Sequence, residues 1–160
     1  MKVIYPGSFD PVTFGHIDIL ERATNMFDKV YMIIAINTGK EVIFSPEERI
    51  ELITSSISCK KWSKKVEVHT FTGLLVDYAE ELGVRTLIRG VRQFSDYEYE
   101  FRMALMNRKL DERIDTIFLM PREELTFVSG SLVREIAFWG GNLNPFVPEN
   151  VAQALKEKFK

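Results

Sequence analysis

The sequence has 160 residues, of which 46% are hydrophobic and 28% charged, and this composition excludes both a disordered chain and a membrane-embedded one. The length fits one domain over residues 1–160, and a net charge of -2 gives no reason to expect a nucleic-acid partner. The longest apolar run, Val30–Ile36, is far shorter than the ~20 residues of a membrane-spanning helix. Because the lone Cys59 also agrees with a reducing compartment, we expect a cytoplasmic protein with no membrane partner.

Short runs rich in Val and Ile alternate with helical patterns along the chain. Runs without polar alternation are typical of strands that are covered on both faces, and hence of a parallel sheet. The predicted strands are Lys2–Tyr5, Val30–Ile36, Val66–Phe71, Thr86–Ile88 and Thr116–Met120. With helices between them, they predict a single doubly wound, Rossmann-like α/β domain, in which helices flank a parallel five-stranded sheet.

The helical patterns have recognisable ends. An apolar stripe begins after His16, and Ser45, Pro46 and Glu48 together form a strong helix start. The other predicted helices are Leu74–Leu82, Ser95–Lys109, Ser131–Trp139 and a short one after Pro148. In such folds, ligands bind beyond the carboxyl ends of the strands, near the point where the strand order reverses. We therefore expect the functional site in the loops that follow strands.

The loop after the first predicted strand has the features of a phosphate site. Gly7 and Gly15 allow close approach of the backbone to a ligand, and Ser8 offers a hydroxyl group. The helix that opens near His16 points its unpaired N–H groups into the same space. The alternative from the residues alone is an ordinary strand-to-helix turn in which His16 only caps the helix.

Two motifs and a central segment resemble one enzyme family. Thr13–His16 is similar to the T/H-x-G-H signature of the nucleotidyltransferase superfamily, and Val128–Arg134 to its companion I-S-S-T-x-x-R loop. The segments Leu87–Arg92, Asp96–Glu100 and Met103–Arg108 resemble the phosphopantetheine adenylyltransferase family, and the similarity covers nearly the whole chain. The resemblance implies transfer of the adenylyl group of ATP to 4'-phosphopantetheine, giving dephospho-coenzyme A and pyrophosphate, by direct in-line displacement without a covalent enzyme intermediate.

His16 is the predicted catalytic residue of that reaction. Its imidazole can donate a hydrogen bond to an α-phosphate oxygen as negative charge grows there in the transition state. A general base is not needed, because the attacking phosphate is already ionised near neutrality. The other histidine, His69, lies within a strand pattern and is interpreted as structural or exposed.

The resemblance also implies two sets of binding residues. Those for ATP are Ser8, Phe9, His16, Gly90, Val91, Arg92, Glu100, Leu125, Thr126, Phe127, Val128, Ser129, Gly130 and Ser131. Those for 4'-phosphopantetheine are Ser8, Lys40, Leu75 and Arg89, of which Arg89 could hold a phosphate with two parallel hydrogen bonds.

Each of these assignments has a plainer alternative. Arg92 could form a surface ion pair with Glu98 or Glu100, and Glu100 could meet sugar hydroxyls or orient Arg92. Asp96 and Glu98 are interpreted as solvent-facing. The remaining alternatives are a solvated loop for Lys40, a core leucine for Leu75, and an ordinary helix cap for Ser129 or Ser131.

The expected cofactor is Mg²⁺, which would neutralise the triphosphate, and no residue is named as a metal ligand. The resemblance further implies a homohexamer and coenzyme A as a feedback inhibitor. Ser8 and Gly130 depart from the family's usual Thr and Ser, and neither change removes a charge. The lysine-rich segment 60–65 is interpreted as a solvated loop. Alternatives to the proposed activity are a nucleotidyltransferase with another acceptor and a noncatalytic nucleotide-binding module.

Overall fold

The computed structural model describes residues 1–36 and 41–160, with only the backbone of Ser95 included. It contains five strands, namely β1 (Lys2–Gly7), β2 (Lys29–Ala35), β3 (Val66–Phe71), β4 (Thr86–Gly90) and β5 (Asp115–Leu119). The six α-helices are α1 (Phe14–Met26), α2 (Pro46–Ile57), α3 (Leu75–Glu81), α4 (Phe94–Leu110), α5 (Gly130–Phe138) and α6 (Glu149–Lys158). Short 3-10 helices form at Lys61–Lys65 and Glu123–Leu125.

The five strands form one parallel sheet in the order β3-β2-β1-β4-β5. The chain therefore winds outwards in both directions from β1, and the strand order reverses between β1 and β4. The predicted doubly wound α/β fold is confirmed. The carboxyl ends of β1 and β4 border the crevice where this architecture binds ligands.

Side chains that alternate along the strands pack into two apolar layers. On one face, residues such as Val3, Met32 and Ile88 pack in the main core, to which α1, α2, α5 and α6 contribute buried side chains. On the other face, Ile33 and Leu87 pack with Val76 and Ala79 of α3 in a smaller core. Helix α4 has no buried side chain among those described, which leaves a wide apolar surface exposed.

Three boundaries differ from the sequence predictions in ways that matter for the site. Strand β4 continues to Gly90, so Arg89 and Gly90 lie in the strand and not after it. Helix α1 begins at Phe14, which makes Thr13 its N-cap. The lysine-rich segment is a 3-10 helix and not a loop, because Trp62 packs against the main core and its Nε1 donates to Glu21 at 3.1 Å. No helix of the described residues is long and apolar enough to cross a membrane.

Candidate active site

A cavity of about 250 Å³ lies at the carboxyl ends of β1 and β4. The loop between β1 and α1 forms one wall, the end of β4 forms the floor, and the first turn of α5 forms the opposite wall. The predicted site residues that line it are Ser8, Phe9, His16, Arg89, Gly90, Arg92, Glu100, Val128, Ser129, Gly130 and Ser131. Residues that are far apart in sequence thus meet where the strand order reverses, as the fold prediction required.

His16 lies in the first turn of α1, and its two ring nitrogens, Nδ1 and Nε2, have different roles. Nδ1 accepts a hydrogen bond from the backbone N–H of Thr13 at 3.0 Å, while the Thr13 hydroxyl accepts one from the His16 N–H at 3.4 Å. This is a capping box with histidine in the position usually held by Glu or Gln. Because the Thr13 N–H can only donate, Nδ1 must be unprotonated and the hydrogen of the neutral ring sits on Nε2. His16 therefore caps the helix and also offers an Nε2–H donor.

The charge state of His16 follows from its surroundings. Burial, and to a smaller extent the positive charge of Arg92, lowers the pKa of His16 from 6.5 to about 4. The imidazole is consequently neutral near pH 7, and it can stabilise a developing oxyanion by hydrogen bonding without carrying a charge itself.

The ring of Phe9 packs against the ring of His16. The two rings meet edge to face with their centroids 5.1 Å apart, and Phe9 packs in the same way on Tyr5 at 5.3 Å. A Cβ on Gly7 would lie 2.7 Å from the Phe9 ring, and the backbone of Phe9 has the left-handed φ of 46°. The absence of a side chain at Gly7 thus serves the packing of Phe9, whereas the sequence analysis assigned it to close approach of a ligand.

The guanidinium group of Arg89 is held on two sides. Nε and Nη2 donate to the two carboxylate oxygens of Glu100 at 2.5 and 2.6 Å, and Nη1 donates to the carbonyl of Pro6 at 2.8 Å. Burial opposes the charge of Arg89, but the hydrogen bonds and attraction of Glu100 outweigh it and raise the pKa of the guanidinium. The expectation that Glu100 orients Arg92 is wrong, because the carboxylate meets Arg89.

Arg92 pairs with Asp96, which lies one helical turn before Glu100 on α4. Its Nε donates to Asp96 at 3.1 Å, and its Nη1 donates to the carbonyl of Val128 at 2.9 Å. The pairing of Arg92 with Glu98 or Glu100 is therefore wrong, and so is the solvent-facing interpretation of Asp96. Glu98 instead contacts Arg102 on the exposed side of α4.

A third guanidinium, that of Arg134, reaches the cavity from α5. Its Nη1 donates to the carbonyl of Asp10 at 2.5 Å and lies 3.9 Å from the Asp10 carboxylate. That buried carboxylate also accepts from the backbone N–H groups of Ile43 and Phe44 at 2.9 and 3.0 Å. The sequence analysis quoted Arg134 within a motif but gave it no role. Its place at the end of that motif, one helical turn after Gly130, is the signal that could have found it.

Helix α5 directs its N-terminus into the cavity. Ser129 is its N-cap, and its hydroxyl accepts from the N–H of Leu132 at 3.1 Å, so the helix-cap alternative is correct for Ser129. A Cβ on Gly130 would lie 3.4 Å from the Asp10 carbonyl, which is an ordinary contact distance, so the packing does not require glycine at this position. Two helix N-termini, of α1 and α5, therefore face one cavity that also holds three guanidinium groups. This arrangement favours phosphate groups.

The other predicted site residues do not line this cavity. Val91 is buried next to it and donates its N–H to Leu119. Leu125, Thr126 and Phe127 precede the α5 N-terminus, and the side chain of Phe127 is exposed. Leu75 packs against the smaller core, as its plainer alternative proposed. Lys40 lies outside the described residues.

The fold, the two helix N-termini and the cationic cavity are those expected of a nucleotidyltransferase, and the family match supports that class. The chain belongs to the cytidylyltransferase-like family, whose profile matches residues 4–136.

Solved structures of similar fold include three from two organisms. Nicotinic acid mononucleotide adenylyltransferase of Plasmodium falciparum, complexed with NaAD, shares 15% identity with a TM-score of 0.74, over 98% of this chain and 94% of that one. The same enzyme complexed with APC shares 14% identity with a TM-score of 0.72, over the same shares of each chain. A candidate nicotinate-nucleotide adenylyltransferase from Vibrio parahaemolyticus shares 17% identity with a TM-score of 0.71, over 98% of this chain and 91% of that one. At such identities the likeness establishes the fold alone.

Proposed function

We propose that this protein transfers the adenylyl group of ATP to 4'-phosphopantetheine, giving dephospho-coenzyme A and pyrophosphate. The observation that carries the proposal is the convergence of a neutral Nε2–H donor, three guanidinium groups and two helix N-termini on one cavity. Such a site suits charge stabilisation of two polyanions, which is the main demand of phosphoryl and nucleotidyl transfer.

In the proposed reaction, an oxygen of the acceptor phosphate attacks the α-phosphorus of ATP in line. A new P–O bond forms, the bond from the α-phosphorus to the bridging oxygen breaks, and pyrophosphate leaves with that electron pair. His16 donates its Nε2–H to a nonbridging oxygen of the α-phosphate while the Thr13 N–H keeps Nδ1 in place. No nucleophilic side chain and no general base are required, because the acceptor is already an anion.

The two substrates are proposed to share the cavity around His16. The nucleotide would contact Ser8, Phe9, Gly90, Val91, Arg92 and the segment from Leu125 to Ser131, with Arg134 added from its place in the cavity wall. The acceptor would contact Ser8, Arg89 and Lys40, together with backbone groups of Leu75, whose side chain packs against the smaller core. Support for this acceptor is the resemblance of the segment that runs from Leu87 to Arg108, since the cavity alone accepts any phosphate monoester.

Mg²⁺ is proposed to arrive with ATP as part of the substrate. Among residues 1–36 and 41–160, no three His, Cys, Asp or Glu side chains are grouped to hold a metal ion. The donors that line the cavity are mainly cationic, and they fit a triphosphate better than a resident metal. The ion would neutralise part of the triphosphate charge.

A second acceptor to test is nicotinic acid mononucleotide, which the names of the neighbours of similar fold mention. Both candidates should be offered separately to the enzyme at fixed Mg-ATP, and pyrophosphate release should be measured. We expect turnover with 4'-phosphopantetheine only, and its loss in His16→Ala. Turnover with nicotinic acid mononucleotide alone would replace the proposed acceptor. Binding of ATP with no pyrophosphate from either compound would favour a noncatalytic nucleotide-binding module.

Assembly into a homohexamer also belongs to the proposal. Its support is α4, on which Tyr99, Leu105, Met106 and Leu110 expose large apolar side chains, because apolar surface of this extent usually marks an interface. Light scattering tests the number of subunits. A cytoplasmic location, and competition of coenzyme A with both substrates for the cavity, are further parts of the proposal.

A further inference from the structure

The carboxylates Asp96 and Glu100 lie four residues apart on α4 and therefore face the same side of the helix. Two arginines three residues apart, one at the end of β4 and one in the turn that follows it, meet these carboxylates. Asp96 binds Arg92 and Glu100 binds Arg89. Each arginine also donates to one backbone carbonyl, but these carbonyls belong to different walls of the cavity. Arg89 reaches Pro6 at the end of β1, whereas Arg92 reaches Val128 before α5.

Both oxygens of Glu100 are committed to Arg89, and only 12% of the Glu100 side chain is exposed. Of the five N–H donors of a guanidinium, Arg89 uses three for Glu100 and Pro6, which leaves one on each terminal nitrogen. These two remaining hydrogens can still bind a phosphate. A negative charge between Arg89 and a triphosphate would repel the nucleotide, so a direct contact of Glu100 with ATP phosphates is unfavourable.

We infer that Glu100 and Asp96 are positioning residues with separate duties: Glu100 fixes Arg89 for the phosphate of the acceptor, and Asp96 fixes Arg92 for the nucleotide. This inference rests on the proposed function for the identity of the two substrates. It replaces the role in ATP binding that the family resemblance implied for Glu100.

The experiment compares Glu100→Gln with the matched variant Asp96→Asn, since both remove one charge from the same face of α4 while keeping the shape of the side chain. Steady-state kinetics with ATP and 4'-phosphopantetheine should show opposite effects. In Glu100→Gln the KM of the acceptor should rise roughly tenfold with little change in the KM of ATP, because loss of a charged hydrogen-bond partner has about this effect. In Asp96→Asn the KM of ATP should rise and that of the acceptor should stay.

A double-variant cycle separates positioning from general damage. If Glu100 acts only through Arg89, then Glu100→Gln should raise the acceptor KM no further in an Arg89→Ala background, in which no cation remains for Glu100 to position. Additive effects in that background, or an equal rise of both KM values in Glu100→Gln, would overturn the inference. Thermal unfolding of each variant checks that the fold is retained, and Glu100→Asp serves as the second variant if Glu100→Gln fails to fold.

Calorimetric titrations with inorganic phosphate and with ATP make the test independent of the proposed acceptor. Phosphate should bind Glu100→Gln more weakly than wild type, with ATP affinity unchanged. Weaker ATP binding by Glu100→Gln than by Asp96→Asn would overturn the inference. If wild type releases no pyrophosphate with 4'-phosphopantetheine, the proposed function fails, while these titrations still decide the roles of the two carboxylates.

Discussion

The two edges of the sheet use the same kinds of charged residue in opposite ways. At the carboxyl edge, Arg89, Arg92 and Arg134 have 28%, 34% and 26% of their side chains exposed, and each donates to a backbone carbonyl as well as facing a carboxylate. At the amino edge, Arg108 and Arg113 pair with acidic residues while 57% and 50% of their side chains are exposed. Ion pairs of the exposed kind contribute little to stability. The difference shows that positional restraint, and not the number of charges, distinguishes the candidate site.

Among the residues at the carboxyl edge, replacement of His16 is expected to have the largest effect on turnover. His16→Ala should lower kcat about 10²–10³-fold, because one preorganised donor to a developing oxyanion has that value. It should also weaken folding by about 1 kcal/mol through loss of the cap. Pyrophosphate release and chemical unfolding measure the two effects separately.

Two matched variants separate catalysis from capping at this position. His16→Gln keeps an acceptor for the Thr13 N–H, so it should fold like wild type and still lose most turnover. His69→Ala should keep kcat, since His69 lies in β3 and its Nδ1 meets the Tyr78 hydroxyl at 2.8 Å, outside the cavity. An unchanged kcat in His16→Gln would remove the imidazole from the reaction.

An intermediate effect is expected from exchanging one arginine at each edge. Arg134→Lys keeps the positive charge but loses the planar fork, so the KM of ATP should rise about tenfold. Arg108→Lys at the amino edge should leave KM, kcat and Tm near their wild-type values, because its pair with Asp115 is exposed. Equal kinetics of the two variants would show that the restraint of Arg134 has no functional value.

Replacing a glycine is expected to change turnover less than the substitutions above. The variants Gly7→Ala and Gly83→Ala compare a glycine next to the site with one far from it. Gly7→Ala should destabilise the protein by about 1–3 kcal/mol, because its Cβ would have to displace the ring of Phe9 and hence disturb His16. Gly83 follows α3 with a φ of 62° and has open space around it, so Gly83→Ala should cost only about 1 kcal/mol. Urea unfolding together with kcat should show that Gly7→Ala alone slows turnover.

Much of the fold could be predicted from local signals. The helix start at Ser45, Pro46 and Glu48 forms the expected capping box, and the apolar runs gave all five strands. The start of α1 was less evident, because histidine replaces the usual Glu or Gln in its capping box. The end of β4 was missed because Arg89 is polar, although the strand continues through it to Gly90.

The pairing of charges within the site was harder to predict than the residues themselves. Eleven of the predicted site residues line the cavity, but the partner of each arginine depends on how α4 is set against β4. Sequence spacing placed Arg92 within reach of several carboxylates and could not choose among them. The turn between β4 and α4 sets the position of the helix, in which Arg92 pairs with Asp96 and Arg89 pairs with Glu100.

The burial of the His16 ring has a consequence for activity in acidic solution. Because the His16 imidazole stays uncharged down to about pH 4, its protonation cannot slow the proposed reaction in mildly acidic solution. Slowing of the proposed transferase at mildly acidic pH is then expected to begin with the acceptor, whose phosphate dianion takes up a proton near pH 6. Sensitivity to acid would thus belong to the metabolite and not to the catalyst.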